Sequence, residues 1–139
     1  VAGIGTGGTI MGVGQRLREA NPDTQIVGVE PRMGAKLHGL RSLSESFAPP
    51  LLDLDFLDGR FLVDSATAIK ATRTIIREEG ILAGISAGAA LSVALRWAER
   101  MNSGNIVVMF SDGAWKYLPA RPWDAADRGD DELDDIYWW

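Results

Sequence analysis

The sequence predicts an α/β fold, a parallel sheet flanked by helices, and two observations support this prediction. First, an apolar lead-in at residues 1–2, a long amphipathic stretch and an apolar run at residues 26–29 follow one another within thirty residues. A strand, a helix and a strand in that order form a βαβ unit, which makes the two strands parallel. Second, amphipathic stretches and an apolar run at residues 106–110 continue the alternation further along the chain.

The first turn of this unit is rich in glycine. Residues 3–9 read Gly-Ile-Gly-Thr-Gly-Gly-Thr, between the predicted first strand and the predicted first helix. A glycine turn at the start of a helix directs several backbone N–H groups to one spot, and the helix dipole adds partial positive charge there. The sequence therefore predicts a phosphate cradle, although a tight turn without a ligand also needs such glycines.

The phosphate in this cradle has two interpretations. Gly3, Gly5 and Gly8 fit the G-x-G-x-x-G pattern, and Glu30 lies 22 residues after Gly8, as in dinucleotide-binding units. The second interpretation is a terminal phosphate monoester, and the hydroxyls of Thr6 and Thr9 within the loop favour it. Such a group has three acceptor oxygens, which can accept hydrogen bonds from hydroxyls as well as from backbone N–H groups.

Helical periodicity predicts three helices. In the first, Ile10, Val13, Gly14 and Leu17 recur on one face, and Asn-Pro-Asp at residues 21–23 ends the helix. Residues 31–62 lack sustained periodicity and are predicted to be irregular. The second helix follows a cap at Asp64 or Ser65, ends at Gly80 and has an inward face of Ala68, Ile69, Thr72, Ile75 and Ile76. The third spans about residues 87–100, after a glycine-bracketed turn.

The strand predictions are fewer. Besides residues 1–2, the short apolar run at residues 26–29 suits a strand that is buried on both faces. The run at residues 106–110 is predicted to be a further buried strand, closed by Ser-Asp-Gly at residues 111–113.

Composition excludes several classes of function. The 139 residues suit one domain, and a net charge of −5 with no cluster of basic residues argues against nucleic-acid binding. No apolar run reaches 18 residues, so no membrane span is predicted. Without cysteine, and with His38 as the only histidine, neither a metal site nor Ser/His/Asp catalysis is supported. The cysteine-free chain fits a reducing compartment, and we expect a cytoplasmic protein.

The two ends of the chain differ from its middle. The chain begins at Val1 within a predicted strand, so we interpret it as the C-terminal part of a longer protein. We divide it into an α/β domain over residues 1–118 and an acidic C-terminal tail over residues 119–139. The tail ends in Ile136, Tyr137, Trp138 and Trp139, and aromatic side chains are costly to leave in water, so we expect them to dock.

Five motifs, taken in order, resemble the cysteine synthase family. They are the Gly-Thr-Gly-Gly-Thr loop at residues 5–9, Ile-Val-Gly-Val-Glu-Pro at 26–31, Glu-Gly-Ile at 79–81, Gly-Ile-Ser-Ala-Gly-Ala at 84–89 and Ser-Asp-Gly-Ala-Trp-Lys-Tyr-Leu at 111–118. These enzymes have fold type II and use pyridoxal 5'-phosphate for β-replacement on activated serines. The resemblance implies that residues 1–118 form most of the larger, cofactor-binding domain, and it favours the phosphate-monoester interpretation of the loop.

The resemblance also implies the cofactor contacts. The residues matching the phosphate loop are Gly5, Thr6, Gly7, Gly8 and Thr9. Ser86 matches the serine whose hydroxyl bonds the pyridine nitrogen, although its position also suits a cap for the third helix. A neutral hydroxyl leaves that nitrogen largely unprotonated, which favours β-elimination. Glu30 then becomes a strand-end residue.

A narrower resemblance concerns the substrate. Gly-Leu-Arg-Ser-Leu at residues 39–43 is similar to a loop of the subgroup that uses O-phosphoserine, in which an arginine meets the substrate phosphate. Arg41 is the match, and a guanidinium suits a phosphate better than a neutral acetyl ester. A solvated loop arginine is the alternative. That subgroup takes sulfur from a thiocarboxylated carrier protein, and its aromatic-ended tail can fold over the active site.

The family's other catalytic parts are missing from these residues. The Schiff-base lysine and the loop that grips the substrate carboxylate belong to the family's N-terminal half, and Lys36, Lys70 and Lys116 stand in other contexts. We therefore expect cysteine biosynthesis from O-phosphoserine or O-acetylserine in an intact, homodimeric protein, and an inactive isolated chain. The alternatives are a cystathionine β-synthase, a threonine dehydratase, or a non-catalytic module that binds a partner through the tail.

Overall fold

The computed structural model describes residues 1–35, 37–44 and 48–118, so the predicted tail at residues 119–139 lies outside the described residues. Strands, helices and turns alternate along the chain. They are β1 (Ala2–Gly3), α1 (Gly8–Ala20), β2 (Val27–Pro31), β3 (Gly59–Val63), α2 (Ser65–Thr74) with a π-helical turn (Ile75–Glu79), α3 (Ile85–Ala98) and a 3₁₀ turn (Ala114–Tyr117). No helix within these ranges is both long and apolar enough to span a membrane.

The described strands form a parallel sheet in the order β1-β2-β3, which confirms the predicted α/β class. Ala2 lies opposite Gly28, and Val29 lies opposite Phe61. Every residue of β2 is buried, as expected for a strand with a neighbour on each edge and cover on both faces. The βαβ unit predicted from the first thirty residues is therefore present.

β3 corrects the prediction that residues 31–62 are irregular. Gly59–Val63 pair along their whole length with β2. Burial alternates along this strand, with Arg60 and Leu62 exposed and Val63 buried. The sequence analysis missed this strand because five alternating residues are a weak periodic signal, and because β2, with which the strand pairs, is distant in sequence.

The predicted buried strand at residues 106–110 is also corrected. These residues lie outside the strands, and Val107 is 62% exposed. The segment nevertheless runs beside the first residue of the chain. The Val1 amino group donates to the Val107 carbonyl at 2.8 Å, and the Met109 N–H donates to the Val1 carbonyl at 3.0 Å. Among the described residues these two hydrogen bonds do not extend into a strand ladder.

α1 has the predicted extent, and its predicted inward face is confirmed in part, since Ile10 and Gly14 are buried. It ends where the Asn21 N–H donates to the Leu17 carbonyl at 2.8 Å. Ile10 and Met11 are buried, whereas Val13 and Leu17, which were predicted on the inward face, are 37% and 40% exposed. Both side chains line an open groove of about 490 Å³ instead of the core.

α2 and α3 pack closely. Asp64 caps α2 by accepting the Thr67 N–H at 2.7 Å, as predicted, and Gly80 ends the π-helical turn with a φ of 67°. A Cβ on Gly88 would lie 2.2 Å from the Ala68 carbonyl oxygen, so only glycine allows this approach. α3 begins at Ile85 with Gly84 as its cap, so the interpretation of Ser86 as the cap is wrong.

Candidate functional site

A cavity of about 480 Å³ opens beyond the carboxyl end of β1. Its walls come from the glycine turn, from the segment after β2, from the start of α3 and from the segment before the 3₁₀ turn. The lining residues are Gly3, Gly5, Thr6, Gly7, Thr9, Gly39, Leu40, Arg41, Ser86, Ser111, Asp112 and Lys116. The structure thus brings together all the sequence-predicted site residues except Gly8, which begins α1 without lining the cavity.

The glycine turn requires glycine at two positions, one for its backbone conformation and one for a close approach. Gly7 has a φ of 88°, in the left-handed region that favours glycine. A Cβ on Gly5 would lie 2.7 Å from the Gly39 carbonyl oxygen. A side chain at Gly5 would therefore push the turn away from the segment that carries Arg41, and one at Gly7 would strain the backbone.

The start of α1 presents hydrogen-bond donors to the cavity. Met11 donates the first helical hydrogen bond, to the Gly7 carbonyl at 3.0 Å, so the preceding N–H groups of the first turn lack an intrahelical acceptor. Gly7, the capping residue, has no side chain that could accept from them. The Thr6 and Thr9 side chains are exposed and line the same cavity. This donor set suits an anion.

Ser86 lies in the opposite wall, in the first turn of α3. Ser86 is buried, with 6% of its surface exposed. The start of α3 is fixed by the segment after residue 110, because the Gly84 N–H donates to the Asp112 carbonyl at 3.0 Å and Ala83 bridges to Gly113. A single hydroxyl is therefore held in place at the cavity by a rigid helix end.

Arg41 lies in the wall formed by the segment after β2. Its N–H donates to the Ile4 carbonyl at 2.8 Å, which ties this segment to the start of the glycine turn. Glu30 supports the same segment, because its fully buried carboxylate accepts the Leu43 N–H at 2.6 Å and pairs with the Arg60 guanidinium at 3.0 Å. Glu30 is thus a buried strand residue, and the dinucleotide interpretation, which needs it as a ribose ligand, is wrong.

The sequence predictions missed the wall formed by Ser111, Asp112 and Lys116. One Asp112 carboxylate oxygen accepts the Tyr117 hydroxyl at 2.5 Å, and the other is buried with no hydrogen-bond partner among the described residues. Burial, with the hydrogen bond to Asp112 and its charge, raises the pKa of Tyr117, so this hydroxyl stays protonated. The Ser-Asp-Gly turn after an apolar run was the available signal, since such turns collect at the carboxyl edge of a parallel sheet.

His38 and the other lysines stand apart from the cavity. The His38 ring packs edge-on against Tyr117, with centroids 5.8 Å apart. Burial lowers the pKa of His38, and the charge of Asp112 partly offsets this shift. Lys70 is an exposed residue of α2 and Lys36 lies outside the described residues, so Lys116 is the lysine that the described structure places at the cavity.

Comparisons with known proteins identify relatives of the whole described region. A family model described as pyridoxal-phosphate dependent enzyme matches residues 1–112. O-ureido-L-serine synthase from Streptomyces lavendulae is 39% identical over 140 residues, covering 95% of this chain and 43% of that protein. Cysteine synthase from Aquifex aeolicus is 41% identical over 123 residues, covering 85% of this chain and 38% of that protein.

A solved structure agrees with these matches. The crystal structure of a mutant O-ureido-L-serine synthase with O-ureido-L-serine bound has a TM-score of 0.80 and 35% identity. The match covers 99% of this chain and 47% of the solved one. The chain therefore spans less than half the length of the relatives that it matches.

Proposed function

Because this chain belongs to the pyridoxal-phosphate dependent enzyme family, whose cofactor is pyridoxal 5'-phosphate, we propose that it supplies cofactor contacts for β-replacement on an activated L-serine. One observation carries the proposal: Gly5, Thr6, Gly7, Thr9, Ser86 and Arg41 line one cavity although they come from three separate stretches of the chain. When bound, the cofactor acts as an electron sink for the α-carbon of the amino acid substrate. Residues 1–118 would form the cofactor-binding domain and residues 119–139 an appended tail.

The glycine turn fits the cofactor phosphate. The N–H groups at the start of α1 lack helical acceptors, and the Thr6 and Thr9 hydroxyls add two donors beside them. The positive end of the helix dipole lies behind these donors. Gly8 would contribute its N–H as the first residue of α1, without forming part of the cavity surface.

Ser86 fits the pyridine nitrogen. Its neutral hydroxyl would donate a hydrogen bond to an unprotonated ring nitrogen, whereas a carboxylate would stabilise the protonated ring. The residue therefore favours elimination of a good leaving group over reactions that need a more strongly electron-withdrawing ring. Because α3 is anchored at Gly84, the hydroxyl needs little reorganisation to meet the ring.

Arg41 would contact the leaving group of the substrate. The hydrogen bond from Arg41 N–H to Ile4 fixes its backbone beside the glycine turn, and its side chain lines the cavity. A guanidinium forms paired hydrogen bonds with a phosphate, whereas it gains little from an acetyl ester. We therefore propose O-phospho-L-serine as the preferred donor and O-acetyl-L-serine as the weaker one.

The replacing nucleophile has two candidates. Sulfur would give L-cysteine, the activity for which the relative from Aquifex aeolicus is named. Hydroxyurea as the nucleophile would give O-ureido-L-serine. The match to O-ureido-L-serine synthase over 95% of this chain supports this second candidate. The intact protein is given each serine donor with sulfide or with hydroxyurea, and the products are identified by mass spectrometry. Cysteine alone would support the first candidate, and O-ureido-L-serine alone would support the second.

Three further parts of the proposal concern the intact protein. A thiocarboxylated carrier protein would deliver the sulfur, the enzyme would be a homodimer, and its location would be the cytoplasm. A chain limited to these residues would be inactive, because the lysine that anchors the cofactor and the loop that grips the substrate carboxylate have no counterparts here. Cysteine formation with a thiocarboxylated carrier, compared with and without residues 130–139, tests the carrier and the tail together.

Cofactor binding provides the first test of the proposal. Fluorescence titration with pyridoxal 5'-phosphate should show saturable binding, and Ser86→Ala should alter the spectrum of the bound cofactor. Substitution of Thr24, which lies outside the cavity, by alanine is the matched control. Binding of NADH with higher affinity than pyridoxal 5'-phosphate would contradict the proposal.

A further inference from the structure

We propose that Lys116 is a specificity-determining residue, a second cation that acts beside Arg41 to select serine donors with an anionic leaving group. The inference deepens the proposed function and rests on it. Lys116 and Arg41 line the same cavity, and they are the cationic side chains among its lining residues. Lys116 belongs to the 3₁₀ turn at Ala114–Tyr117, far from Arg41 in sequence.

The Lys116 ammonium is available to a ligand. Among the described residues its charged partner is the Asp112 carboxylate at 3.9 Å, which is an ion-pair distance but too long for a hydrogen bond. The Lys116 side chain is 57% exposed, while that of Asp112 is only 14% exposed. An ammonium held this loosely can turn towards an anion in the cavity.

Asp112 does not depend on Lys116 for its stabilisation. Its Oδ2 atom accepts the Tyr117 hydroxyl at 2.5 Å. Its Oδ1 atom occupies the space that a Cβ on Gly84 would need, so it lies beside the residue that caps α3, where the positive end of the helix dipole favours a carboxylate. Moving the ammonium away therefore leaves the hydrogen bond from Tyr117 to Asp112 in place.

The backbone that carries Lys116 is anchored. The Ala114 N–H donates to the Leu82 carbonyl at 2.9 Å, the Lys116 N–H donates to the Gly113 carbonyl at 3.3 Å, and Gly113 bridges to Ala83. The backbone at Lys116 is thus held in place, while the four methylene groups of its side chain give the ammonium its reach. This combination suits recognition of a charge, because Lys acts as a mobile point charge.

Charge balance explains why one arginine would not suffice. A phosphate monoester carries between about −1.5 and −2 charges at neutral pH, so Arg41 alone leaves part of that charge unbalanced. In the proposed function, the cofactor phosphate at the glycine turn adds more negative charge to the same cavity. A second cation reduces the repulsion between the two phosphates. A neutral acetyl ester gains no comparable benefit.

The test compares Lys116→Gln with Lys70→Gln, the same substitution at a lysine outside the cavity. In the intact enzyme, kcat/KM is measured for O-phospho-L-serine and O-acetyl-L-serine. Lys116→Gln should lower the ratio of the two values roughly tenfold, which corresponds to about 1.4 kcal/mol. Lys116→Arg should retain the ratio, as should Lys70→Gln, which removes an exposed charge from α2. Equal losses with both donors, or no loss, would overturn the inference.

A binding measurement separates this inference from the proposed function. Calorimetric titration with O-phospho-L-serine and with O-acetyl-L-serine requires no turnover. A selective, roughly tenfold loss of O-phospho-L-serine affinity in Lys116→Gln would support the inference even if neither donor reacts, whereas unchanged affinity would overturn it. Failure of the parent protein to react with either donor would count against the proposed function alone.

Discussion

Replacing Gly88 with alanine tests the packing that positions Ser86. Gly88 lies two residues after Ser86 on α3, at the point where α3 meets α2. The Cβ of an alanine would lie 2.2 Å from the Ala68 carbonyl oxygen and 2.1 Å from the Thr72 hydroxyl oxygen. Rotation of Thr72 would relieve the second contact but not the first, because a helical carbonyl cannot move alone. We therefore expect the helices to separate.

The cost of this separation can be estimated from the distances. The gap between 2.2 Å and the 3.4 Å at which ordinary contact begins is about 1.2 Å. Overpacking a tight interface typically costs about 1–3 kcal/mol. Alanine recovers about 0.5–1 kcal/mol of helix propensity relative to glycine. We expect Gly88→Ala to lower the free energy of unfolding by about 1–2 kcal/mol, because the overpacking term is the larger.

Urea unfolding of the purified protein measures this change, read as a shift of the midpoint with an unchanged slope. Gly12→Ala is the matched control, because Gly12 is an exposed residue of α1 with no atom within 4 Å of its added Cβ. That variant should gain about 0.5–1 kcal/mol. If Gly88→Ala were as stable as Gly12→Ala, the close approach of α2 and α3 would be refuted. Weaker cofactor binding in Gly88→Ala alone would connect this packing to Ser86.

Three other predictions concern single side chains. Thr9→Ala should weaken pyridoxal 5'-phosphate binding by about 1–3 kcal/mol in a fluorescence titration, and unchanged affinity would argue against the phosphate cradle. Asp64→Ala should destabilise the protein by about 1 kcal/mol, because the cap on the Thr67 N–H is lost, while Asp64→Asn should retain most of the stability. Burial lowers the pKa of His38, so folding favours its neutral form, and stability should fall as pH drops through about 6.5. His38→Gln should flatten this part of the stability curve, and an unchanged slope would contradict the assignment.

The sequence predicted those features that local chemistry determines. α2 begins after Asp64 because a carboxylate there accepts a first-turn N–H, and its π-helical extension ends at Gly80 because that residue adopts a positive φ. α1 stops at Asn21, next to a proline. Each of these signals involves residues only a few positions apart. The helices and the fold class were therefore predictable.

The remaining features depend on distant contacts. β3 exists because it pairs with β2, while its exposed Arg60 and Leu62 interrupt the apolar pattern. Residues 106–110 have the composition of a buried strand, but within the described part of the chain they form hydrogen bonds with Val1 without a strand ladder. Lys116 reaches the cavity because Gly113 bridges to Ala83. A pattern of neighbouring residues in the sequence cannot predict contacts between segments that lie this far apart.

The character of the cavity follows from the fold rather than from the overall charge. In a parallel sheet the chain leaves each strand at the same edge, so the turns after the strands meet there. Here that edge gathers the unpaired N–H groups of α1, the hydroxyl of Ser86 and two cationic side chains. Asp112, the acidic lining residue, is engaged by Tyr117. An anion site can therefore lie within a chain of net charge −5, since near donors and dipoles outweigh distant, screened charges.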